Sequence, residues 1–177
     1  MNGTIFIAGA YGTGKSTLCS KLTQKTNIPS FSAGDLISDI NGEMYGANKA
    51  VVDKNNNQIL LARRVRELNA QNSNILLAGH FCIFNATNQV ELLPESVFFE
   101  LNIMQIILLE ASSNQIFEHL KKRDGKDYSQ STIDELVLQE RLQAEKISVK
   151  LKCPLSIYRM TFSDADVEII GEIVYGG

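Results

Sequence analysis

Short, nearly continuous apolar runs alternate along the chain with longer stretches of helical period. The runs fall at residues 4–8, 30–32, 75–78, 105–109 and 155–158. A strand with one wet face would alternate apolar and polar positions. These do not, so each is expected to be covered on both sides. The intervening stretches predict helices over residues 15–25, 35–40, 58–71, 114–122, 132–152 and 164–174. Strands that alternate with helices build a parallel sheet with helices on its faces. The expected fold is therefore α/β: a three-layer α/β/α sandwich with a parallel sheet, five-stranded when the short run at 30–32 is counted. Ser131, Thr132 and Asp134 offer cap acceptors for the long helix, and Ser163 does so for the last one. Two polar, poorly periodic stretches, 41–57 and 124–131, read as surface connections.

Size and charge narrow this picture without changing it. The 177 residues correspond to one domain at about 150 residues per domain. The composition, 44% apolar and 21% charged, is that of an ordinary globular chain with a sizeable core. Seventeen basic against twenty acidic residues leave a net charge of -3. No global field draws the chain to nucleic acid or an anionic membrane, so any phosphate site must be local. Cys19, Cys82 and Cys153 are odd in number and lie far apart, which signals neither a disulfide framework nor a zinc site. The expected location is cytoplasmic, since the first apolar run is too short for a signal peptide or a membrane span.

One motif decides the chemistry. Gly9-Ala10-Tyr11-Gly12-Thr13-Gly14-Lys15-Ser16 matches G-x-x-x-x-G-K-[ST] at every position, follows an apolar run and opens a helix, with Thr17 next. Backbone N–H groups of such a loop curl around phosphate oxygens, the helix start adds its positive end, Lys15 reaches the β- and γ-phosphates, and Ser16 is a ligand for Mg²⁺. The cofactors implied are ATP and Mg²⁺, held by Gly9, Gly12, Thr13, Gly14, Lys15, Ser16 and Thr17. A GTPase would need a base-reading N-K-x-D, but Asn48-Lys49-Ala50 runs into Val51. A motor-type ATPase would end its third apolar run in Asp-Glu, whereas this one ends Ala78-Gly79-His80.

The chain resembles the small P-loop nucleotide kinases, the adenylate-kinase-like group, over most of its length. Phe31-Ser32-Ala33-Gly34-Asp35-Leu36-Ile37 is similar to the family's S-T-G-D segment, which opens the acceptor-binding helix. The resemblance implies that residues 32–72 enclose a phosphate acceptor, with Ser32, Gly34, Asp35, Arg63, His80 and Phe81 facing it. It departs from the family pattern at Ala33 in place of Thr, at Ser38 in place of the Arg that holds an acceptor phosphate, and at Ala78 in place of the Asp near Mg²⁺. Residues 106–123 resemble the fourth strand and the lid entrance, which implies a short lid over about 121–141. Arg123 would then reach the nucleotide, and Arg141 would close over the phosphates. The catalytic set implied is Lys15, Arg123, Arg141 and Asp35.

The reading that follows is a single P-loop kinase domain over residues 1–177, moving the γ-phosphate of Mg-ATP to a small nucleotide-like acceptor. Two rivals stand beside it. One is a nucleotide-driven switch that acts on a protein partner through the polar segments. The other is a polynucleotide 5'-kinase, which the acidic balance disfavours. Tyr11 is expected to shield the phosphates, Cys19 to be core, Cys82 to lie near the pocket without a metal partner, and His119 to lie on the surface.

Overall fold

The computed structural model describes residues 2–45, 54–125 and 128–176. Its main sheet has five parallel strands in the order β2-β3-β1-β6-β7, formed by β1 (Gly3–Ala8), β2 (Ser30–Ser32), β3 (Asn74–Ala78), β6 (Ile103–Glu110) and β7 (Leu155–Arg159). Every strand expected from the apolar runs is present, but the expected cover on both sides holds only for β1, β3 and β6; the edge strand β2 is half-buried and the edge strand β7 leaves Ile157 and Arg159 exposed. β1 lies at the centre, paired with β3 on one side and β6 on the other.

The unbroken apolar character of β1 has a direct cause. Phe6 and Ala8 point into one core layer with Leu61, Val65, Leu136 and Ile147, while Ile5 and Ile7 point into another with Leu18, Leu22 and Ile170. The first layer lies under α2 (Ala33–Tyr45), α3 (Lys54–Gln71), α5 (Ser113–Asp124) and α6 (Gln130–Leu151), and the second under α1 (Lys15–Thr26) and α7 (Ala165–Gly176). Burying a Leu, Ile or Phe side chain contributes roughly 1.5–3 kcal/mol, so a doubly covered central strand is the most strongly fixed element.

Several local expectations change. The polar stretch 41–57 is shorter as a connection than its composition suggests, because α2 runs to Tyr45 and α3 begins at Lys54; its middle, 46–53, lies outside the described residues. The stretch 124–131 shrinks in the same way between α5 and α6, and residues 126–127 of it lie outside the described residues. The long helix α6 is capped by Ser129, whose hydroxyl accepts from the Thr132 amide at 3.2 Å, and not by Ser131. The Ser163 hydroxyl pairs with Thr161 at 2.8 Å. A two-stranded antiparallel hairpin, β4 (Cys82–Phe84) with β5 (Val90–Leu92), and a short helix α4 (Glu95–Phe99) follow β3. The sequence pattern predicts neither of these strands, although β2 is equally short; they pair only with each other, off the main sheet.

Candidate active site

The phosphate loop leaves the C-terminal end of β1 where the sheet's strand order turns, the place where open α/β sheets form their ligand crevice. Gly12 and Gly14 adopt φ of 81° and 82°, and a Cβ on Gly9 would lie 2.5 Å from the Leu109 carbonyl. No side chain caps α1, whose N-cap is Gly14 itself. Its first-turn N–H groups are thereby left for an anion. Thr13 closes the loop from inside, donating its hydroxyl to the Ala10 carbonyl at 2.9 Å. Lys15 is folded back into the loop, where its Nζ donates to the carbonyls of Gly9 at 2.7 Å and Ala10 at 2.8 Å. Burial lowers its pKa from 10.5 to about 8, and the charge of Glu140 works against that fall. Ser16 and Thr17 are exposed at the start of α1.

The end of β3 is organised from a distance. Glu140 reaches across from α6, and its Oε1 accepts from the amides of Phe81 and Cys82, both at 2.8 Å. Only 2% of Glu140 is exposed, and Oε2 is buried without a hydrogen-bond partner. Burial raises this carboxyl to about 7 against the pull of the Cys82 amide and Lys15. Ala78 itself carries no carboxylate, and the one brought from α6 is engaged with the backbone of the following turn. The sequence did hold a signal for it: Ile133, Leu136, Glu140, Ala144 and Ile147 form the buried stripe of α6, and an acidic residue in such a stripe needs a reason. Arg141 sits off that stripe. Its side chain is 47% exposed and pairs with Glu110 and Glu145.

Beyond β3 the aromatic side chains form a ladder. His80 lies 4.3 Å from Tyr11 between ring centroids, Tyr11 stacks on Phe84 at 5.3 Å, and Phe84 stacks on Tyr128 at 5.1 Å. The Arg123 guanidinium lies 5.5 Å from the centre of the Tyr11 ring, within cation–π range. Burial, with the charges of Lys15 and Arg123, pushes the His80 imidazole well below its usual value, so it is neutral at pH 7. Phe81 corrects the sequence reading, because its ring is fully buried against Phe6 and Phe98. It packs the core, and only its backbone takes part in the site.

On the β2 side, an open cavity of about 380 Å³ brings Ser16 together with Ser32, Asp35 and Ala78. The Ser32 hydroxyl accepts from the Asp35 amide at 3.3 Å, which turns the exposed Asp35 at the start of α2. Gly34 is exposed beside it, with only the Ser32 hydroxyl near the place a Cβ would take. Hard oxygen donors at Ser16 and Asp35 facing one space suit Mg²⁺, which takes one or two protein oxygens and the phosphates. Among the described residues, no cluster of three or more His, Cys, Asp or Glu side chains could hold a metal. Arg63 is not brought to this site: its side chain is 77% exposed and pairs with Glu67.

A second cavity of about 270 Å³ lies on the other side of the loop, lined by Gly14, Leu18, His119, Met160, Phe162 and Asp166. His119 bonds the Gly12 carbonyl through Nδ1 at 2.7 Å and meets Phe162 edge-on. It is therefore part of the loop's support and not a free surface residue; its spacing from Ile116 and Leu120, both buried, carried that information. Asp166 shapes the wall, its Oδ1 accepting from Tyr158, from the Thr161 amide and from the Thr161 hydroxyl. Cys19 is buried as expected, which raises its thiol to about 12. Cys82 is buried beside the Glu140 anchor.

A family model described as an AAA domain matches residues 8–137. Among solved structures, a gluconokinase from Sinorhizobium meliloti 1021 superposes with a TM-score of 0.54 at 13% identity, over 99% of this chain and 97% of that one. A shikimate kinase from Acinetobacter baumannii, in complex with shikimate, gives 0.60 at 11% identity over 98% and 93%. The Deinococcus radiodurans tunicamycin resistance protein gives 0.57 at 15% identity over 88% and 99%. Likeness at such identity is likeness of fold. No curated protein sequence matches the chain.

Proposed function

The chain belongs to the AAA-domain family and has the P-loop fold, and from that premise we propose that it transfers the γ-phosphate of Mg-ATP to a small acceptor, nucleotide- or nucleoside-like in kind. The observation that carries this reading is the shared cavity of Ser16 and Asp35. It joins the donor loop to a carboxylate on the acceptor wall, an arrangement that nucleotide binding alone does not call for. The gluconokinase and shikimate kinase named above are phosphotransferases of the same fold, which supports the reaction class.

The loop amides and the start of α1 would take the triphosphate, and Lys15 would leave its two carbonyls for the β- and γ-phosphates. Magnesium held by Ser16, with Asp35 nearby, would neutralise charge on those phosphates. The cavity beside His119 and Phe162 has the walls to take the base. An acceptor hydroxyl placed against Asp35 would form the new bond to the γ-phosphorus as the bond to the β–γ bridging oxygen breaks. Its proton passes to Asp35 and ADP leaves. Arg123, whose guanidinium lies over the Tyr11 ring of the loop, would follow the transferring phosphoryl. Arg141 would first have to release Glu110 and Glu145.

A regulatory nucleotide-binding protein is the second reading, favoured by Ala78 where a magnesium carboxylate would be expected. The two part company in one assay, ADP release from Mg-ATP with and without a panel of small alcohols and nucleotides. Acceptor-stimulated release that Lys15→Ala abolishes supports phosphotransfer. Lys15-dependent ATP binding with no stimulated release supports the switch.

A further inference from the structure

Resting on the part of that reading in which the loop holds a triphosphate, we propose that His119 is a positioning residue for the phosphate loop. Its Nδ1–H fixes the Gly12–Thr13 peptide so that the Thr13 N–H is turned away from α5 and left open to a phosphate oxygen. The loop motif specifies neither partner. Gly12 falls on one of its free positions, and His119 stands 107 positions further along the chain.

The hydrogen bond is the first observation. His119 Nδ1 lies 2.7 Å from the Gly12 carbonyl oxygen. A carbonyl only accepts, so Nδ1 carries the proton. A peptide group is planar and trans, which makes its C=O and N–H point in opposite directions. Holding the Gly12 carbonyl toward α5 therefore turns the next amide, that of Thr13, away from α5. Among the described residues no group accepts from that amide. A backbone N–H held free in such a loop is a donor for an anion.

The mounting of the ring is the second. Gly12 adopts a φ of 81°, and a Cβ there would lie 3.2 Å from the His119 Cβ and 3.4 Å from the Ile116 carbonyl. Only a glycine lets the loop lie so close on α5. That helix is anchored in turn by the capping box of Ser112 and Gln115 and by Ile116 and Leu120, both fully buried. Across the imidazole, Phe162 meets it edge-on at 4.8 Å between ring centroids. Phe162 holds a φ of 58°, an outlier for a bulky side chain, and its ring lies 3.6 Å from the place a Cβ on Gly14 would take. Such a conformation persists where the surroundings fix it. Here Asp166 fixes the preceding residue, accepting from the Thr161 amide and hydroxyl. The imidazole is thus held between α5 and the turn before α7, facing Gly12.

The test is calorimetric titration of the full chain with Mg-ATP and, separately, with inorganic tripolyphosphate in the presence of Mg²⁺, with the thermal midpoint of each variant recorded alongside. His119→Ala is expected to bind both ligands about tenfold more weakly, the scale of one hydrogen bond to a charged group. His119→Asn, whose amide N–H stands as far from the backbone as Nδ1–H, is expected to bind both within about threefold of the wild type. Should the alanine protein melt early, His119→Gln, with the same group one bond further out, takes its place as the weak binder. A role in packing alone would weaken the asparagine variant as much as the others. A role as a wall for the base alone would weaken Mg-ATP and spare tripolyphosphate. Either result overturns the proposal, as does wild-type affinity in the alanine variant. If the variants bind as expected and no acceptor stimulates ADP release, phosphotransfer falls and the assignment of His119 stands. If the wild type binds neither ligand, the assignment falls together with the reading of the loop.

Discussion

The two sides of the cleft are held by different kinds of group. On the donor side the groups that would touch phosphate are mostly backbone amides, set by glycine conformations within eight consecutive residues and by an uncapped helix start. On the proposed acceptor side they would be side chains brought from far apart, Asp35 from the start of α2 and His80 from beyond β3, with Glu140 of α6 fixing the turn between through an amide 59 positions away. A backbone site tolerates most side-chain changes and is fragile at its lysine and at Gly9, Gly12 and Gly14, whose conformations or contacts disfavour a Cβ. A side-chain site can be retuned one residue at a time, which is how one fold serves many acceptors.

The sharpest test of the donor side is Lys15→Ala. Loss of one preorganised cation at a transferring phosphoryl is worth about 10²–10³-fold in turnover. The fold should survive, since burial already opposes the charge that is removed. Turnover by a coupled ADP assay and the thermal midpoint by circular dichroism give the two readings. A mutant that melts early and a mutant that folds but does not turn over are then distinct. On the acceptor side, Asp35→Asn is expected to reduce acceptor-stimulated ADP release by about 10²-fold, the low end for a positioned general base. Binding of a fluorescent ATP analogue should be nearly unchanged. Equal loss of both would merge the two sides into one unit.

What the sequence disclosed follows the same division. All five strands of the main sheet and the whole phosphate loop were legible: the loop is contiguous, β1, β3 and β6 are buried on both faces and carry long apolar runs, and β2 and β7, only partly covered, follow from the alternation of strands with helices. The hairpin of β4 and β5 was not, since it stands outside the alternation of strands and helices that builds the main sheet. Phe81 was misread because the family pattern marks a place in the chain and not the side of the strand end on which a ring falls. Glu140 and His119 stood on the buried stripes of α6 and α5, so the helical period could have exposed them. Their partners, the Phe81 and Cys82 amides and the Gly12 carbonyl, belong to turns whose positions only the folded chain defines.

Glu140 joins the two sides, and its removal separates packing from charge. Glu140→Ala leaves two buried amides without their acceptor and should cost roughly 2–3 kcal/mol in chemical denaturation. Glu140→Gln keeps an acceptor oxygen and should recover much of that loss. The pH dependence isolates the charge. The folded carboxyl binds its proton up to about pH 7 and the unfolded one only to about 4.5, so the stability this contributes is present below pH 4.5 and is lost as pH rises through 7. The Gln variant should lack that decline. Identical slopes for the two proteins would mean that the carboxyl is not the group that titrates.

The smallest effect is expected one residue further along the same helix. Arg141 has two acidic partners and a side chain nearly half exposed, so Arg141→Ala should shift stability by no more than about 1 kcal/mol, the scale of exposed ion pairs. Its turnover should change far less than that of Arg123→Ala, because Arg123 already lies over the Tyr11 ring of the phosphate loop while Arg141 is tied to the end of β6. The comparison turns on Glu110. If Arg141 does swing to the phosphates during turnover, Glu110→Gln loosens it by removing one of its two acidic partners, and the rate should rise in the Glu110 variant but not in a Glu110→Gln, Arg141→Ala double variant. Equal rates in the wild type, the Glu110 variant and the double variant assign the lid charge to Arg123 and leave Arg141 as a fastening between α6 and the sheet.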